Sequence, residues 1–147
     1  MLPTLWGRIQ SRIVFTLVIG GLVALFLTPL LPLQVGIGSK YRIAYTVLVT
    51  VTVVGVLWEL LYHLIMQWRW EKDWPTLFGL LTFVNEGLLI WALLLAGVVP
   101  GIDGLSGLQS LSYWILFLFV WMAVWIFANG PMRVFSIHWR FRGGRFV

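Results

Sequence analysis

Glu59 and Glu86 stand inside runs of apolar residues long enough to cross a bilayer. An ionisable group there costs at least about 2.5 kcal/mol even on the mildest scale, so it marks a functional site by default. Residues 58–86, WELLYHLIMQWRWEKDWPTLFGLLTFVNE, read as two apolar arms facing each other across a charged turn with Arg69, Glu71, Lys72 and Asp73. Tyr62 and His63 lie on the incoming arm, and Asn85 lies on the outgoing one. Two ionised carboxylates side by side in a low dielectric are untenable, so a shared proton or a bound cation would have to relieve them. His63, one turn from Glu59, could relay that proton towards the interface. Tyr62 and Asn85 add hydrogen-bonding capacity.

The spacing says which faces carry these groups. Thr52, Gly55, Glu59, His63 and Gln67 recur in steps of three and four, which places them on one helix face. Thr76, Gly79, Thr82 and Glu86 repeat the pattern on the next arm. Thirteen residues separate Glu59 from Lys72, and thirteen separate Asp73 from Glu86. At about 1.5 Å per residue, each acid then lies about 20 Å from the turn, at matching depth. Three readings of the site stay open. The polar groups are interhelical hydrogen-bond glue or a contact to another subunit; or they line a path for a proton, an ion or a polar ligand; or His63 ligates a pigment or haem.

The elements that position these residues follow from hydropathy. The chain has 147 residues, 61% hydrophobic and only 10% charged, against about 25% charged in a soluble domain. A membrane helix needs about 20 apolar residues, so four fit and no separate soluble domain does. Expected spans are 13–33, 42–67, 75–99 and 111–128, preceded by a short head with Trp6, Arg8 and Arg12 and followed by a basic aromatic tail, 132–147. The first run is too long for a signal-peptide core of about 7–15 residues and reads as an uncleaved helix. Gly20, Gly21 and Ala24 form a small-residue patch on it. The β-branched run at 49–54 reads as helix, because a lipid-exposed strand would leave its backbone unsatisfied. Asp73 is placed to cap the third helix, with Pro75 in its first turn. Asn129-Gly130-Pro131 is a stop signal. No internal repeat is evident.

With both termini on one side, that side holds Arg8, Arg12, Arg69, Lys72, Arg133, Arg140, Arg142 and Arg145, whereas the other holds Lys40 and Arg42. Eight against two orients the termini to the cytoplasm, or the equivalent face of an internal membrane. Trp6, Trp68, Trp70, Trp74 and Trp139 belt that face, and Tyr41, Tyr45, Tyr113 and Trp114 mark the other. The expectation is an all-α integral membrane protein, a four-transmembrane-helix bundle with both termini cytoplasmic.

Two further stretches suggest contacts. Trp114, Phe117, Leu118, Trp121 and Trp125 form a stripe that reads as packing, with an apolar ligand (lipid, quinone or pigment) as the competing reading. In the tail His138, Arg140 and Arg142 alternate with Trp139 and Phe141 before Gly143-Gly144 and Arg145, which suggests a short extended ribbon docking on lipid headgroups or an acidic partner. No nucleic-acid partner is expected, because the basic patch is short and pressed against the bilayer. There is no cysteine, phosphate loop, HExxH or nucleophile elbow, so no catalytic residue, metal site or cofactor is expected. The first functional reading is a non-enzymatic accessory or structural subunit of a larger membrane complex; the partners expected are membrane lipids and other membrane protein subunits or a homo-oligomer. The alternative is a small proton- or ion-coupled transporter or channel using Glu59, His63 and Glu86.

Overall fold

The computed structural model describes residues 4–68, 76–102 and 105–146, with no account of the side chains of residues 66, 76–81 and 140. The expected charged turn beyond Trp68, the Asp73 cap and Pro75 lie outside the described residues. So do Trp70 and Trp74 of the aromatic belt, and the side chains of Thr76, Gly79 and Arg140.

The described chain is helical: α1 (Leu5–Leu30), α2 (Ile37–Gln67), α3 (Thr76–Leu95), α4 (Gly107–Asn129) and two single turns, α5 (Pro131–Phe135) and α6 (Ile137–Phe141). Among the described residues, three stretches are long and apolar enough to cross a membrane: Leu5–Leu30, Ile37–Ile65 and Gly107–Phe135. Thr82–Leu95 is a shorter apolar one.

Local signals set the ends. Thr4 caps α1, its hydroxyl accepting from the Gly7 amide at 3.2 Å. Ser106 and Gln109 form a capping box on α4. At the end of α3 the Val98 amide donates to Leu93 O and the Gly97 amide to Leu94 O, the paired bonds of a Schellman turn. Asn129-Gly130-Pro131 ends α4, as its composition predicts, and Pro131 opens α5.

α1 is not uniform. Residues Thr16–Gly20 form a π-helical turn and Thr28–Leu30 a 3-10 turn. Gly7, Ser11, Phe15, Gly20, Ala24 and Thr28 are all buried, a recurrence near every fourth residue. In an α-helix that recurrence drifts by about 40° per step. The wider π turn absorbs part of the drift, so both halves of α1 keep their small and polar residues towards the bundle.

The helices alternate in direction. Along α1 and α2 the contacts descend on one helix as they rise on the other. Arg8 meets Glu59, Arg12 lies over Gly55, Gly20 packs on Leu48, and the hydroxyls of Tyr45 and Tyr41 donate to Gly21 O and Leu25 O. α4 runs against α1 in the same way, with Val120 beside Gly20 and Phe127 against Phe15. It also runs against α3, where Phe83 touches Trp121, Gly87 touches Phe117 and Trp91 touches Trp114. A Cβ on Gly20 would come within 2.9 Å of Val120 and 3.0 Å of Leu48, so the missing side chain lets α1 wedge between α2 and α4. Ala24, Leu48, Val51, Ile90, Leu94, Leu116, Phe117 and Val120 fill the interior. The result is an all-α, multi-helix bundle whose long helices are compatible with a membrane.

Two sequence expectations change. The stretch with Trp6, Arg8 and Arg12 is not a head outside the first helix: the helix begins at Leu5 and carries all three within it. The tail is not an extended ribbon either. It forms two helical turns, because an alternation of five residues is too short to hold a strand without a partner edge. Elsewhere the bounds shift modestly. α2 starts five residues earlier than its span, α3 stops at Leu95, and α4 begins at Gly107.

Candidate functional site

Four residues apart on α1, Arg8 and Arg12 share a face. That face meets the α2 stripe containing Gly55 and Glu59, and it reaches Glu86 on α3. Arg8 Nε donates to Glu59 Oε2 at 2.7 Å and its Nη2 to the same oxygen at 2.5 Å. Arg12 Nη2 donates to Glu86 Oε2. Both acids singled out by the sequence therefore carry an arginine each, and both arginines come from α1. The Glu86 side chain is 1% exposed and its Arg12 partner 15%, so this is the deeper pair; Arg8 and Glu59 are 17% and 16% exposed.

Gly55 makes the inner pair fit. A Cβ there would sit 2.5 Å from Arg12 Nε and 2.7 Å from Nη2, so the guanidinium occupies the space any other residue would fill. Arg12 Nε is buried and finds no hydrogen-bond acceptor among the described residues. Arg12 also lies within electrostatic reach of Glu59 and Tyr62, which joins the two pairs into one cluster of two positive and two negative charges. Tyr62 stacks on Trp58 at 5.5 Å and turns towards Asn85. His63 bonds to Gln67 one turn along its own helix, Nε2 to Nε2 at 3.3 Å. The structure thus gathers Glu59, Glu86 and Tyr62 around Arg12, with Asn85 beside Tyr62.

A carboxylate held by a guanidinium is a poor general base and a poor cation ligand until the arginine leaves. What the pairs do directly is tie α1 to both α2 and α3. Two buried charges of opposite sign stabilise each other only when both are present, so each pair fixes register and adjacency more than it adds net stability. Among the described residues no group of three His, Asp or Glu side chains is arranged to hold a metal ion.

The α4 stripe packs inward against α3. Phe83 lies 5.3 Å from both Phe117 and Trp121, Trp114 lies 6.2 Å from Trp91, and Trp121 stacks on Trp125 at 6.2 Å. Leu118 faces outward, 41% exposed. The Tyr113 hydroxyl crosses to Gly87 O at 2.8 Å.

The tail docks on its own chain. Trp139 Nε1 donates to Ser11 Oγ and Ser11 Oγ donates to Gly144 O, both at 2.8 Å. The Thr4 amide donates to Gly143 O, Arg145 Nε to Thr4 Oγ1, and the Phe146 amide to Gln10 Oε1. Trp139 and Phe146 pack edge-on against Phe15. Gly143 and Gly144 adopt φ of 65° and 84°, a left-handed turn that side chains resist and that folds the chain end back onto α1. Of the residues expected to dock on lipid or a partner, His138, Phe141, Arg142 and Arg145 are exposed, whereas Trp139 is spent on Ser11.

Gly7 fits under this clasp, since a Cβ there would overlap Gly143 O and press on the Gly144 and Arg145 backbone. Gly7→Val should release the tail and leave the bundle intact. Limited proteolysis checks it: cleavage beyond Pro131 should accelerate, while the thermal unfolding midpoint moves little.

Sequence reasoning missed Arg8 and Arg12 as site residues. Their four-residue spacing matches that of Gly55 and Glu59, and this is the signal that could have paired them. Comparisons with family models, curated proteins and solved structures find no match to this chain.

Proposed function

We propose that the chain is a four-span membrane protein with both termini cytoplasmic, acting as a non-enzymatic accessory subunit that contributes a braced helical bundle to a larger membrane assembly. The observation that carries this reading is the one-to-one pairing of Glu59 and Glu86 with arginines of α1. Acids saturated in this way support a brace, because neither is free to take up a substrate or a proton without breaking a tie between helices. Four apolar helices in alternating directions, with Thr4 hydrogen-bonded to Gly143 at one end, support the four-span arrangement. The excess of arginine and lysine at that end supports its cytoplasmic placement. Exposed apolar side chains such as Phe26, Leu30, Val53, Leu57 and Leu64 suit contact with lipid or neighbouring subunits.

Purification from native membranes in mild detergent tests the role. The account expects stoichiometric partner subunits that stay bound through washing. A lone chain or homo-oligomer with pH-dependent flux in liposomes would instead establish the second reading, a proton-coupled path. That reading draws on one arrangement: from the Arg12 cluster, Tyr62, His63 and Gln67 lead along α2 towards the exposed Trp68.

A further inference from the structure

At the end of the bundle away from the termini, α2, α4 and residues Leu31, Leu33, Gly101, Ile102 and Leu105 line a partly open cavity of about 250 Å³. Leu31, Leu33, Ile43, Val47, Ile102 and Leu116 give it apolar walls. Its polar residues are engaged elsewhere. Tyr113 donates its hydroxyl to Gly87 O, Ser112 to Leu108 O, and the Gln109 carbonyl accepts from the Ser106 amide. Apolar walls beside a cation suit the hydrocarbon tail of an anionic amphiphile, part of whose chain a volume of this size accepts.

The rim is charged. Lys40 Nζ donates to Leu31 O at 2.8 Å and lies 3.5 Å from Pro29 O, which stations the ammonium beside a residue of the cavity wall. An ammonium carries three donors, so one N–H remains for a ligand. Arg42, exposed, precedes the wall residue Ile43. These two are the chain's only lysine and arginine between Arg12 and Arg69. Asp103 lies outside the described residues.

We propose that this cavity binds a single acyl chain whose anionic head is held by Lys40. Two sources share that chemistry: a free fatty acid and an anionic phospholipid inserting one of its chains. The proposal does not depend on the accessory role, because it concerns the opposite end of the bundle from the arginine–glutamate pairs.

Native mass spectrometry of the full-length protein in detergent tests it, with oleate and oleyl alcohol as probes. Wild type should retain one oleate per chain, about tenfold more tightly than the alcohol, the scale of one charge-assisted hydrogen bond. Lys40→Gln should bring oleate down to the level of the alcohol. Leu105→Trp, which enlarges a wall residue, should abolish retention of both. Displacement of oleate by phosphatidylglycerol would assign the site to a membrane lipid, and failure to displace it to a free fatty acid. Equal retention of oleate and alcohol by wild type would overturn the proposal, as would undiminished oleate binding by folded Leu105→Trp. Should that variant fail to fold, the Lys40→Gln comparison decides alone.

Discussion

Arg12→Leu should destabilise the bundle by about 3–5 kcal/mol, the usual cost of leaving one member of a buried ion pair without its partner. Glu86 is 1% exposed, so its carboxylate has no route to solvent once the guanidinium is gone. The double variant Arg12→Leu with Glu86→Leu should recover most of the loss, since two apolar side chains remove both desolvated charges together. Glu86→Gln separates this account from hydrogen-bond glue. An amide replaces a glutamate in a glue role with little effect, whereas here it strands the Arg12 charge and should be nearly as damaging as Arg12→Leu. Unfolding in detergent, followed by tryptophan fluorescence, compares wild type with Arg12→Leu, Glu86→Leu, Glu86→Gln and the double variant. Additive effects of the two leucine substitutions would show that the residues do not act as a pair.

Gly55→Ala should change sign with its background. In the wild type the new methyl would lie 2.5 Å from Arg12 Nε, forcing the guanidinium off its seat and weakening its bond to Glu86. A hydrogen bond to a charged group is worth about 1.5–3 kcal/mol, and the loss should be of that order. With Arg12 already alanine the space is empty. The same substitution should then stabilise α2, because alanine is the better helix former by about 0.8–1 kcal/mol. Unfolding of the two single variants and the double variant reads the reversal directly. A Gly55→Ala effect of the same sign in both backgrounds would contradict the seating of Arg12 over Gly55.

The polar half of this site was legible in the sequence and the basic half was not. Glu59, Glu86 and the stripe through Gly55 announce themselves because polar residues at helical spacing inside apolar runs have few innocent explanations. Arg8 and Arg12 stand before an apolar run, where arginine ordinarily marks an interface. Only the start of α1 at Leu5 turns them inward. Gly55 was visible as a small residue on the stripe, but its purpose depends on a side chain more than forty positions away in the chain. The tail shows the same limit. Its local alternation suggested a ribbon, while the contacts that decide its shape run from Trp139 and Gly144 to Ser11, at the far end of the sequence. Within the small-residue patch Gly20 is the point of close approach, against Val120 and Leu48, while Gly21 leaves ordinary contact distance. The cavity beside Lys40 had no sequence signature, since it arises where several segments fail to fill a shared space.

The central claim is that Glu59 and Glu86 are each ionised and held by their own arginine, with no proton shared between them. Infrared spectroscopy of the protein at neutral pH tests this most directly, using difference spectra against Glu59→Gln and Glu86→Gln. The account predicts that each substitution removes intensity from the ionised-carboxylate band and none from the carbonyl band of a protonated acid. Loss of a protonated-acid band in either difference spectrum would contradict it.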